Sequence, residues 1–167
     1  MKSILSLLIL LLVVGCSSKK TDKELFDEAQ KNLKENKIPE AVTAFDKIAT
    51  EYSESKLAPE ALSQLAAIYQ NKMDKSISEK DNLEKAVSIF KRIHNEYPKS
   101  EYAPPSLFMA AFITANELNK YDEATSLYKQ FLEEYPDNDL AASARAELDN
   151  MGKSPEEILH NSQPKEK

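Results

Sequence analysis

Apolar residues fall into two regimes along this chain. From Ile4 to Val14 they are nearly continuous, and from Leu25 to Leu148 they recur in bursts with the spacing of one helix face. The bursts repeat. Segments 40–55, 85–100 and 123–138 superimpose without gaps, with Ala41, Ala86 and Ala124 in one column and Phe45, Phe90 and Tyr128 in the next. Ile48, Ile93 and Phe131, then Tyr52, Tyr97 and Tyr135, then Ala58, Ala103 and Ala141 complete the match. Apolar positions therefore stand at i, i+4, i+7 and i+11, a single helical stripe. The alanine lets a neighbouring helix approach closely, and the ring one turn later fills the gap between helices.

This periodicity predicts an all-α fold with helices over 22–35, 38–51, 57–73, 80–95, 102–118, 121–134 and 138–150. The first six form three hairpins and the seventh a cap. Thr21-Asp22-Lys23-Glu24 has the form of a capping box opening the first helix, and Ser154-Pro155-Glu156-Glu157 that of another opening a short terminal one. Pro39, Pro59 and Pro104 or Pro105 fall where first-turn prolines are tolerated. The spacing from Ala41 to Ala86 is 45 positions and from Ala86 to Ala124 is 38, with the larger excess between Gln70 and Leu83. Residues 71–82 are polar and are expected to form a lengthened loop within the second hairpin. The tail after Asn161 is too polar to pack and is expected to be disordered.

A small residue, a ring four positions on and a proline twelve positions on occur as Ala86, Phe90 and Pro98 and again as Ala124, Tyr128 and Pro136. This pattern resembles the tetratricopeptide repeat. In the first copy Ser53 replaces the proline, a change expected to soften that turn. Ala29, Ala66 and Ala111 stand where the repeat wants the small residue of its first helix, without the tryptophan often found earlier. The resemblance implies a superhelix of about three hairpins plus a C-terminal capping helix. Its inner face, lined by the first helix of each pair, would take a peptide or helix of a protein partner. Ser63, Gln70 and Asn71 on one such helix, and Phe108, Phe112 and Asn116 on the next, then point toward the groove. Phe108 and Phe112 are either partner anchors or core between hairpins.

The continuous apolar run has a different meaning. Lys2 precedes about a dozen apolar residues, a length that suits a signal-peptide core and falls short of the roughly 20 needed to span a bilayer. Val13-Val14-Gly15-Cys16 resembles the bacterial lipobox, which implies cleavage after residue 15 and acylation of Cys16. Residues 1–15 are then a signal peptide, 16–21 a lipidated tether, 22–150 the repeat domain, and 151–167 a short helix and tail. Several acyl chains at about 0.8 kcal/mol per buried methylene anchor a protein durably. Ser17 after the cysteine is compatible, by the same resemblance, with sorting to the outer membrane, so the expected location is its periplasmic face.

Charge and composition narrow the function further. The formal charge is −6, and the leader carries only Lys2, so its removal makes the balance one more negative. Lysines are spread among more numerous carboxylates, which argues against nucleic acid as a partner. The single cysteine excludes an intramolecular disulfide and a cysteine-based metal site. With two glycines there is no phosphate-binding loop. The two histidines, His94 and His160, form no constellation with other groups, and His94 reads as a structural residue in the last turn of its helix. No catalytic residue, metal, cofactor or small-molecule substrate is expected.

The junction Tyr97-Pro98-Lys99-Ser100-Glu101-Tyr102-Ala103 resembles a branch of envelope tetratricopeptide proteins. Two groups in it stand out: the BamD-like (YfiO-like) outer-membrane assembly lipoproteins and the YbgF-like (CpoB-like) proteins associated with Tol-Pal. Lipidation favours the first, although its members carry about five repeats. The segment from Tyr135 to Leu148 is similar to the closing helix of the second, whose leading coiled coil is missing. The resemblance implies a lipid-anchored envelope scaffold whose partners are β-barrel assembly or Tol-Pal components, with an accessory to an envelope enzyme as a third reading.

Overall fold

The computed structural model describes residues 19–153 and 156–157. Cys16, the leader and the tail beyond residue 157 lie outside these described residues. Among the described residues seven full helices follow one another: α1 (Asp22–Lys34), α2 (Ile38–Glu51), α3 (Ala58–Gln70), α4 (Glu79–Glu96), α5 (Ala103–Asn116), α6 (Tyr121–Glu134) and α7 (Ala141–Asn150). The elements agree with those the periodicity predicts, with ends shifted by up to three residues. Glu156 and Glu157 are helical; the rest of the expected terminal helix lies outside the described residues.

Each boundary has a local cause. The α1 capping box is present: the Glu24 N–H donates to the Thr21 hydroxyl at 3.2 Å and the Thr21 N–H to the Glu24 carboxylate at 2.8 Å. The turns inside the hairpins use left-handed residues although glycine is absent there: Asn36, Lys72 and Asn119 have φ of 57°, 53° and 55°. Lys37 N–H then reaches back to the Asn32 carbonyl at 2.8 Å, and Lys120 N–H to Thr114 at 2.9 Å, satisfying carbonyls that the helix ends leave free.

The turns between hairpins are built three times from one plan. Ser55, Ser100 and Asn138 donate their N–H groups to the carbonyls of Tyr52, Tyr97 and Tyr135. Their side-chain oxygens accept from the N–H groups of Leu57, Tyr102 and Leu140 at 3.0, 3.2 and 3.0 Å. The first turn keeps this geometry with Ser53 in the proline position, so its hydrogen bonds form without the proline. The serine and its bonds define the turn, and proline is an addition to it.

Residues 71–82 also depart from the expected loop. The connection is shorter, 71–78, because Ser78 caps α4 by accepting from the Asp81 N–H at 3.0 Å, which draws residues 79–82 into the helix. The buried Asn82 side chain donates to the carbonyls of Asp74 and Ser78 at 2.8 and 3.0 Å. Met73 and Ile77 pack against the core. This is a fastened connection with a small apolar foot.

The helices form two layers. Across one, Lys72 at the end of α3 pairs with Glu117 at the end of α5 at 3.3 Å, and Asn116 of α5 donates to Glu147 of α7 at 3.4 Å. Across the other, Arg92 of α4 donates to the Ala49 carbonyl of α2 at 3.0 Å, and Lys91 of α4 pairs with Glu123 of α6 at 3.2 Å. Thus α3, α5 and α7 share one face and α2, α4 and α6 the other. Between the layers, Ala29, Ala41, Ala66, Ala86, Ala111 and Ala124 are wholly buried, as are the larger Phe45, Tyr128 and Phe131.

The tyrosines that end α2, α4 and α6 link each hairpin to the one before it. The Tyr97 hydroxyl donates to the Ser53 carbonyl at 3.0 Å, and the Tyr135 hydroxyl lies 3.2 Å from His94 Nδ1. No hairpin precedes Tyr52 among the described residues, and its hydroxyl donates instead to the carbonyl of Lys20. Lys19 reinforces this clamp through Glu51 at 2.9 Å and through the Tyr52 ring, 4.9 Å from its ammonium. The Ser55 hydroxyl donates to Asp22.

Two predictions follow from these ends. Asn36→Gly relieves a left-handed residue and should raise unfolding stability by about 0.5 kcal/mol, read from urea midpoints. The Ser55 hydroxyl and then the Lys23 N–H hold the Asp22 carboxyl below its ordinary pKa. The folded form therefore resists protonation more than the unfolded chain does. This contribution is present above the ordinary aspartate range and is lost as pH falls through the lowered folded value. Asp22→Asn should flatten the acid limb of a Tm-versus-pH curve and leave the neutral-to-alkaline limb unchanged.

Candidate protein-binding surface

On the layer shared by α3, α5 and α7, a stripe of each helix is left over after packing. For α3 the buried positions are 58, 59, 61, 62, 65, 66, 68 and 69, leaving Glu60, Ser63, Gln64, Ala67 and Gln70 half-buried. For α5 the leftover stripe is Pro105, Phe108, Met109, Phe112 and Asn116. The two helices correspond residue for residue through Ala66 and Ala111. Ser63 matches Phe108, Ala67 matches Phe112, and Asn71 matches Asn116. Asn71 and Asn116 even make the same bond, donating to the carbonyl four residues earlier at 2.8 and 3.2 Å. All six residues singled out in the sequence thus stand on or at the end of these stripes, with Asn71 and Asn116 exposed and the others half-buried.

The two phenylalanines have different roles. Phe108 meets the rings of Tyr128 and Phe131 edge-on at 5.6 and 5.8 Å, so one side of it packs against the core of the third hairpin while the other stays half-exposed. Phe26 takes the same place in the first, edge-on to Phe45 at 5.6 Å. Phe112 stacks on the outer side of Phe108, with centroids 6.4 Å apart and planes at 17°. Both rings are half-buried, with Phe108 seated against the core and Phe112 as its outer leaf. The step from Ser63 and Ala67 on α3 up to Phe108 and Phe112 on α5 gives the face an aromatic ridge beside a low floor.

Sequence reasoning missed the neighbours that complete this surface. Met109 and Pro105 extend the ridge, and Glu60 and Glu147 border it. In the register that pairs Ala66 with Ala111, Glu60 matches Pro105 at the start of the ridge. Glu147 lies against Asn116, and its charge adds to the burial that pushes the Tyr128 phenol up. A signal for the ridge exists in the sequence, since α5 carries no charged residue from Ala103 to Asn116.

The opposite layer is polar. Its furrow between α4 and α6, of about 640 Å³, is crossed by the Lys120–Glu84 pair at 3.0 Å, and that between α2 and α4, of about 430 Å³, is lined by Arg92, which reaches the Ala49 carbonyl at 3.0 Å. His94 is buried between α4 and α6, with Tyr135 at Nδ1 and with Gln130 and Glu134 3.2 and 3.3 Å from Nε2. It ties one hairpin to the next. Among the described residues no group of histidine, cysteine and carboxylate side chains is arranged to hold a metal, and no helix is long and apolar enough to cross a membrane.

Residues 60–100 and 106–138 match the tetratricopeptide repeat family. This is a tetratricopeptide-repeat superhelix. The matched stretches cover the α3–α4 and α5–α6 hairpins, and α1–α2 repeats their residue pattern and their closing turn. No curated protein matches the chain. Tetratricopeptide repeats serve protein–protein interaction.

Stability and binding should separate at the two rings. Phe108→Ala should lower unfolding stability by about 2–3 kcal/mol, since it removes a ring packed against the hairpin core. Phe112→Ser should stay within about 1 kcal/mol of the parent, as a surface change does. Thermal melts followed by circular dichroism check both.

Proposed function

We propose that this chain is a lipid-anchored adaptor of the bacterial envelope, held on the periplasmic face of the outer membrane through Cys16. It engages protein partners through the inner face of its repeats and acts by binding, not by turnover. The observation that carries the binding part is the uncharged α5 ridge, Phe108, Met109 and Phe112, left over after every helix has packed. The Val13-Val14-Gly15-Cys16 motif supports the anchor, and Ser17 supports the outer membrane as its destination.

Between the two envelope groups that the repeats resemble, the lipobox favours a BamD-like role in outer-membrane protein assembly. The YbgF-like role with Tol-Pal and cell-wall machinery rests on the similarity of the closing segment, here α7 with Ala141 and Ala144 buried. Crosslinking in cells, followed by identification of proteins recovered from the membrane fraction, decides between them. Recovery of β-barrel assembly components supports the first, and recovery of Tol, Pal or wall-synthesis proteins supports the second. Cys16→Ala should release the chain into the soluble fraction. Persistent, detergent-requiring membrane association of that variant would refute the anchor.

A further inference from the structure

Charge is unevenly placed on this molecule. Residues 121–150 hold eight carboxylates against Lys129 and Arg145, a balance of −6 that equals that of the entire chain. The α5 ridge meets this acidic segment where Asn116 contacts Glu147. Within α3 and α5 together the one charged residue is Glu60, and Lys72, the cation that follows α3 on this layer, is already paired with Glu117 and Glu79. Glu60 has no ion-pair partner among the described residues, and Glu147 meets only the amide of Asn116. By contrast, on the opposite layer Lys91 and Lys120 are paired with carboxylates of the neighbouring helix, Glu123 and Glu84.

We propose that the α5 ridge receives a cationic amphipathic helix, with bulky apolar side chains on Phe108, Met109 and Phe112 and lysines or arginines directed at Glu60 and Glu147. This rests on the inner-face reading above and adds the chemistry of the partner. An apolar ridge bordered by unpaired carboxylates selects against anionic helices by repulsion and for cationic ones by attraction. The ridge from Pro105 to Asn116 is about 16 Å long at 1.5 Å per residue, so a partner segment of about three turns covers it. A second copy of this chain would set one acidic border against another, which disfavours self-association through this face. The border charges steer the partner, and the rings supply the contact that holds it.

Two labelled helical peptides of about 18 residues test this, sharing one leucine and phenylalanine face and differing only in a lysine or glutamate polar face. Binding to the detergent-solubilised full chain is read by fluorescence anisotropy. The lysine peptide should bind at least tenfold more tightly near 50 mM salt, and the difference should shrink as added salt screens the border charges. The double substitution Glu60→Lys with Glu147→Lys should invert the preference, and Phe112→Ser should weaken the lysine peptide at least tenfold with an unchanged thermal melt. Equal affinities, failure of both peptides to bind, or a preference that ignores the double substitution overturns the cationic partner. Where Phe112→Ser still weakens binding in such a case, the inner-face reading survives by itself. Where it has no effect on bound peptide, that reading falls as well. A dimer in sedimentation that Phe112→Ser converts to monomer assigns the ridge to a second copy and also overturns the proposal.

Discussion

The close approach of helix backbones at six buried alanines is the constraint from which the rest follows. Ala29, Ala41, Ala66, Ala86, Ala111 and Ala124 lie between neighbouring helices with no exposed surface. A larger side chain at any of them would push two helices apart and open the contacts on either side. Small residues at the crossing let the rings a turn away, such as Phe45, Tyr128 and Phe131, fill the remaining space. Alternation of small and large side chains therefore sets both the spacing within a hairpin and the spacing between hairpins.

That packing also determines where binding can occur. Each inner helix is claimed on two sides by its neighbours, so only a narrow stripe of α3 or α5 faces solvent. On most solvated helices such a stripe is charged. On α5 it is apolar, and no other element among the described residues covers it. The opposite layer shows the ordinary outcome, with lysine, arginine and glutamate side chains bridging α2, α4 and α6. The difference between the two layers is visible at matched positions, since Ser63 and Ala67 on α3 become Phe108 and Phe112 on α5.

Much of this was legible in the sequence because the determinants are periodic. The alanine and aromatic columns, the Thr21 capping box and the tyrosine that ends each second helix locate the helices directly. Less legible was anything that depends on a bond between distant residues. Ser78 and Asn82 turn a polar stretch into a fastened connection, which composition alone reads as loop. Ser55, Ser100 and Asn138 make the inter-hairpin turn, so the missing proline at Ser53 misleads when proline is taken as the cause. The division of labour between Phe108 and Phe112 is the sharpest case. Two identical residues one turn apart differ in role because Tyr128 and Phe131 lie opposite one of them, and only tertiary placement shows that.

The clamp at the start of the domain has a mechanical consequence. Lys20 is joined to Tyr52, Lys19 to Glu51, and Asp22 to Ser55, so the chain entering α1 is stapled to the far end of α2. Lys20 is four positions from Cys16, a span of at most about 14 Å of extended chain. Under the proposed anchoring the leash is too short for the domain to drift from the bilayer surface. A pull on the anchor would load the staple before it reached the first turn of α1. Force applied at the membrane would thus be borne by one hairpin's end, and the ridge on α5, two hairpins away, would keep its shape under tension.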